Sequence, residues 1–261
     1  MPGAGPEQPG RSRPMILIKN AAELECMRAS GRLAGNVRDA LVRAVAPGVT
    51  TRELGELAAG LMRGMGAESA FLGYKGYPGT ICVSVNETVV HGIPGERRIE
   101  MGDLVSLDIG VRFGGFVGDT AVTVLVGTAD PVKVRLVRTA ERALAAGIAA
   151  ARAGNRVSDV SRAIQREVES AGFSVVRRFV GHGVGRSMHE DPEVPNFVSS
   201  GRTAVLRPGM TLAIEPMVNQ GGCEVDVLED GWTVVTRDRM PSAHVEHTVA
   251  IGDGEAEVLT A

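Results

Sequence analysis

Residues 103–126, DLVSLDIGVRFGGFVGDTAVTVLV, restrict the fold more than any other stretch of this 261-residue chain. They are apolar and β-branched, broken once at Phe113-Gly114-Gly115, which predicts a β-hairpin and excludes an all-helical fold. Each arm carries one aspartate. A turn centred on Phe113 and Gly114 sets Asp108 opposite Asp119, where like charges destabilise a ladder. Both stand five residues from that turn, too far to close it. A shared metal ion explains the pair better than a turn role, or than a bulge that parts them.

Three more groups sit in similar settings. Gly181-His182-Gly183-Val184-Gly185 flanks a histidine with residues that permit close backbone approach to an ion or substrate. Thr211-Leu212-Ala213-Ile214-Glu215-Pro216 carries a carboxylate in an apolar strand stopped by proline. Val245-Glu246-His247-Thr248-Val249 does so again. Buried carboxylates are costly unless something positive compensates them, and these segments hold few lysines or arginines. Asp108, Asp119, Glu215 and Glu246 with a neutral His182 sum to a charge of minus four, which two divalent ions would cancel. A two-metal hydrolytic site is therefore expected.

At this point the chain resembles the type I methionine aminopeptidases, members of the creatinase-like or "pita-bread" metallopeptidases. The matching segments are SVNETVVHGIP, LDIGVRFGGFVGDT, GHGVGRSMHEDP, AIEPM, GWTVVTRD and EHTVAI, in family order from about Ile16 to the C-terminus. The resemblance implies an α+β pita-bread fold, with a curved antiparallel sheet, helices on one face, and two duplicated halves related by a pseudo-two-fold. It implies removal of the N-terminal methionine when the second residue is small, by two-metal-assisted hydrolysis. Asp108, Asp119, His182, Glu215 and Glu246 would be the ligands, with Asp119 and Glu246 bridging. Co, Mn, Fe and Zn all suit such mixed oxygen and nitrogen donors. Glu215 would also shuttle a proton, His189 would donate to the developing oxyanion, and His91 would assist the leaving amine. Phe71, Tyr74, Tyr77, Cys82, Met188 and Trp232 resemble the lining of the methionine pocket. Asn86, Thr88 and Ser242 match positions that hold a monovalent cation in some relatives.

Two positions depart from the family pattern. Met188 stands where a phenylalanine is usual, and His244-Val245 replaces a glutamine and an aromatic. His244 should share the face of Glu246, two residues on, whereas His247 should point to the opposite face.

Outside these motifs, Asn20 with Glu23 and Thr50 with Glu53 form capping-box patterns that open two helices, stopped near Pro47-Gly48 and near Gly64 and Gly66. A long helix from Val132 to Ala151 and a serine-led helix from Ser158 to Ser170 repeat the arrangement in the second half. Helices followed by antiparallel strands, twice over, predict an α+β fold. One domain is expected over 16–261, preceded by a flexible Pro- and Gly-rich tail at 1–15. That tail has no apolar run for a secretory signal or a membrane span, so a cytoplasmic protein is expected. Its start, Met1-Pro2-Gly3, has a small second residue and should itself be processed by another copy. A net charge of −3 and a pI near 6.0 give no reason to expect nucleic-acid binding. Cys26, Cys82 and Cys223 lack disulfide or thiolate-zinc spacing. The resemblance implies nascent proteins with N-terminal methionine as substrates, the ribosome as a contact, and a monomer. The rival is an Xaa-Pro aminopeptidase on the same fold. Such enzymes usually carry an extra N-terminal domain, for which the residues before Ile16 leave no room.

Overall fold

The computed structural model describes residues 15–127 and 130–261. The Met1-Pro2 start and the tail, apart from Met15, lie outside the described residues. Four helices, α1 (Ala21–Ala44), α2 (Thr51–Gly64), α3 (Pro131–Ala150) and α4 (Val157–Ser170), cover one face of an antiparallel sheet. Both expected capping boxes form. Asn20 and Thr50 accept from the Glu23 and Glu53 amides, and each glutamate accepts the cap residue's own N–H. The fourth helix starts one residue before the expected serine. Arg156 is its cap, and the Asp159 carboxylate accepts the Arg156 N–H.

The main sheet is built on β1 (Cys82–Val85), β2 (Leu104–Phe113), β3 (Phe116–Leu125), β4 (Gly181–Gly183), β5 (Glu190–Val194), β6 (Thr211–Ile214) and β7 (Glu246–Ala250). Its path runs β2-β3-β7-β6-β4-β5, with β1 also paired to β2. The pieces Glu68–Ser69 and Glu257–Val258 complete nine strands, on β2 and β7.

Alternation along the strands separates core from site. Leu107 and Ile109 pack with Val37, Leu41, Leu54 and Met62 beneath the first helix pair. Leu212, Ile214, Val245 and Val249 pack with Leu136, Leu144 and Ile164 beneath the second. Two equivalent cores, each under its own helix pair, are the physical form of the duplicated halves. Asp108, Glu215 and Glu246 fall on the odd beats of these strands and point away from the helices.

The hairpin register differs from the expectation. The turn residues are Gly114 and Gly115, both at positive φ, and Phe113 pairs with Phe116. Asp108 therefore faces Ala121, and Asp119 faces Gly110. A two-residue turn with both central residues left-handed matches strand twist, and glycines adopt it without strain. The shift moves the aspartates from a direct pair to a diagonal pair on one face, so both still reach the same space.

Candidate active site

The open face of the sheet carries a cavity of about 270 Å³. Phe71, Tyr74, Tyr77, Cys82, Met188 and Trp232 line it, as expected for a side-chain pocket, and Asp108, Asp119, His182, Glu215 and Glu246 form its floor. The structure thus brings all five expected ligands together. Ligand atoms of Asp119, His182 and Glu246 lie within 4.8 Å of one another. Glu215 joins them through an Oε1 3.5 Å from Nε2 of His182. Asp108 stands across the β1–β2 ladder from Cys82.

Local structure explains each placement. Glu215 follows β6 and is broken from the next strand by Pro216, while the Asn196 side chain donates to its backbone carbonyl at 3.0 Å. Reciprocal bonds between Thr248 and the Asp119 backbone, at 3.0 and 2.8 Å, fix β3 against β7. The glycines around His182 have a packing role that the sequence did not show. A Cβ on Gly181 would meet the Ala213 carbonyl, and one on Gly183 would meet the Asp191 carbonyl, so both glycines admit neighbouring strands. His182 directs Nδ1 to the Gly183 carbonyl at 2.9 Å, which puts a proton on Nδ1 and leaves Nε2 a free lone pair facing the carboxylates.

Burial pushes the carboxyl groups up, Asp108 to about 7. Asp119, Glu215 and Glu246 are raised well above the ordinary range, by burial first and then by one another's charge. Burial lowers His182 to about 3, keeping it neutral. Among the described residues no lysine or arginine pairs with any of the four carboxylates. Asp119 Oδ1 and Glu246 Oε1 are buried without a hydrogen-bond partner. Orphaned anionic oxygens beside a neutral imidazole are what a divalent cation satisfies, so the residues fit a metal.

The expected substrate histidines flank this floor. His189 sits at the rim, its Nδ1 2.9 Å from the Tyr74 hydroxyl and its ring centroid 4.2 Å from that of His182. His91 adopts φ 60° and packs edge-on against Phe179 and Trp232. Burial lowers both to about 4, so both are neutral near pH 7. His247 faces away, as expected, with Nδ1 2.8 Å from the Thr260 hydroxyl. His244 lies in the cavity wall. Of the residues matched to a monovalent-cation site, Asn86 and Ser242 meet through one backbone bond, the Ser242 N–H donating to the Asn86 carbonyl at 2.9 Å.

Other contributors were not visible in the sequence. Lys75 and Phe179 line the cavity. Lys19 forms a 2.6 Å ion pair with Glu190, both side chains about 5% exposed, and so ties the start of the described chain to the residue after His189. A lysine in the run Ile16-Leu17-Ile18-Lys19 gives no sign of its partner 171 residues away.

Residues 25–253 match the model of metallopeptidase family M24. The chain is 48% identical to a methionine aminopeptidase of Clostridium perfringens over 94% of its own length and 99% of that protein. A methionine aminopeptidase structure from Thermotoga maritima superposes with a TM-score of 0.92 at 45% identity, covering 94% of this chain and 99% of that one. A prolidase from Pyrococcus furiosus shares the fold alone, with a TM-score of 0.77 at 23% identity, covering 94% of this chain and 65% of that one. No helix among the described residues is long and apolar enough to cross a membrane. With its α+β pita-bread architecture and its buried carboxylate–histidine floor, the chain belongs to metallopeptidase family M24, in its methionine aminopeptidase group.

Proposed function

We propose that this protein removes the N-terminal methionine from nascent or newly made proteins in the cytoplasm when the second residue is small. The observation that carries the reading is a largely apolar cavity of about 270 Å³ whose floor is the cluster of buried carboxylates and His182. Apolar pockets with few convergent polar groups suit an unbranched side chain. Phe71, Tyr77 and Met188 give the methionine thioether apolar and aromatic surface.

Asp108, Asp119, His182, Glu215 and Glu246 would hold two divalent ions, for which Co, Mn, Fe and Zn are the candidates. When bound, such ions supply Lewis acidity that polarises the scissile carbonyl and activates water near neutral pH. Glu215 accepts the proton released by that water and passes it to the leaving amine. His189 acts on the carbonyl oxygen. The Tyr74 hydroxyl, 2.9 Å from Nδ1, orients the ring, and a proton on Nε2 of the neutral imidazole can then be donated as negative charge develops. His91, neutral at working pH, bonds near the scissile nitrogen and assists its departure.

Comparing turnover of Met-Ala-Ser with that of Ala-Pro peptides, with and without chelator, tests the reading. Chelator-sensitive release of methionine alone is expected. Preferential cleavage of Ala-Pro would favour the prolidase-like alternative.

A further inference from the structure

His244 is a cavity-wall imidazole to which the reaction above gives no task. It ends the strand Ser242–His244, two residues before Glu246, and is 2% exposed. Its Nε2 is buried without a hydrogen-bond partner. That nitrogen stands 3.8 Å from Oε2 of Glu215 and 4.0 Å from Oε2 of Glu246, too far for a hydrogen bond to either.

The arrangement repeats the one around His182, whose Nε2 lies 3.5 Å from Oε1 of Glu215 and 3.8 Å from Oδ2 of Asp119. Glu215 therefore stands between two imidazoles, with one oxygen toward each. Donor atoms that share an ion at bond lengths of about 2.0–2.2 Å end up roughly 3–4 Å apart, the spacing seen at both histidines. His244 has the geometry of a ligand, not of a hydrogen-bonded neighbour.

We propose that His244 is a sixth protein ligand of the metal centre, its Nε2 binding a divalent ion beside Glu215. The proposal rests on the two-metal reading of the site. It gives the centre two nitrogen donors, one toward each oxygen of Glu215. A glutamine at this position, as in the family pattern, offers only a carboxamide. A second imidazole biases the site toward the later first-row ions and away from manganese.

The test is proton NMR of the full-length protein loaded with Co(II), with ring-deuterated histidine used to identify imidazole signals among the five histidines. Strongly shifted ring signals from two imidazoles are expected, one set lost in His182→Gln and the other in His244→Gln. A single shifted imidazole, lost only in His182→Gln, overturns the proposal and leaves the metal centre standing. No shifted imidazole overturns the metal reading and the proposal together. Competition between Co(II) and Mn(II) gives a second readout that does not depend on catalysis. His244→Gln should weaken Co(II) binding at least about tenfold relative to Mn(II). An equal effect on both ions, or none, counts against the assignment.

Discussion

The Tyr74 hydroxyl lies 2.9 Å from Nδ1 of His189, and the two rings stack 5.3 Å apart with 14° between their planes. Tyr74 is thus more than pocket lining, because its hydroxyl and its stacked ring hold the orientation of the imidazole placed to meet the substrate carbonyl. Removing the imidazole with His189→Ala should lower kcat by roughly 10²–10³ with KM little changed and metal content intact. Tyr74→Phe keeps the stack and loses only the hydrogen bond, so a drop of about tenfold in kcat is expected. Steady-state kinetics with metal analysis checks both. A pure KM effect in His189→Ala would refute the oxyanion role.

Asp119 and Glu246 each have a buried oxygen without a partner. Asp119→Ala or Glu246→Ala should abolish turnover and reduce bound metal, as measured by elemental analysis of purified protein. A chelator should silence the wild type, and added Co(II) or Mn(II) should restore it. Full activity in metal-free Glu246→Ala would be fatal to the mechanism.

The metal-free protein should lose stability as pH rises above about 7.5. Asp108 is raised to about 7, and Asp119, Glu215 and Glu246 are raised too, so the folded chain keeps protons that the unfolded chain releases. That contribution is complete below the unfolded carboxyl range and is lost as pH climbs through the folded values. Buried His182 and His244, lowered to about 3, and His91, His189 and His247, lowered to about 4, act in the opposite sense, an effect that fades as pH rises past about 6.5, where an unfolded imidazole is half protonated. Above about pH 7.5 the histidines have dropped out and the raised carboxyl groups set the slope. Thermal unfolding in chelator between about pH 7.5 and 8.5 should show Tm falling by several degrees, with a flatter profile when metal is bound. A rising or level Tm without metal would contradict the assignment.

Lys19 and Glu190 form an ion pair with both side chains about 5% exposed. Lys19→Met strands a buried carboxylate and should cost about 3–5 kcal/mol by chemical denaturation. Because Glu190 follows His189, kcat should fall as well. The double change Lys19→Met with Glu190→Gln removes the stranded charge and should recover part of the stability. Equal stability of the single and double variants would show that the ion pair is not what anchors this loop.

Much of the active-site floor was legible in the sequence because carboxylates inside apolar strands are anomalous on their own terms. Asp108, Asp119, Glu215 and Glu246 needed a positive partner, and few lysines or arginines stood nearby in the chain. The capped helices were equally legible, since Asn20–Glu23 and Thr50–Glu53 are satisfied within four residues of sequence. The halves were visible as a repeated order of helices and strands.

What the sequence could not supply was the geometry that depends on distant neighbours. The hairpin register turned on which two residues take positive φ, a choice between Phe113-Gly114 and Gly114-Gly115 that fixes whether the aspartates meet directly or diagonally. The glycines beside His182 are required by the carbonyls of Ala213 and Asp191, which only strand packing brings there. The Lys19–Glu190 pair and the Tyr74–His189 bond join residues 171 and 115 positions apart. Local chemistry determined which residues had to be compensated. Only the folded sheet decided which partners stand within reach, because strand order and register, not sequence distance, set those separations.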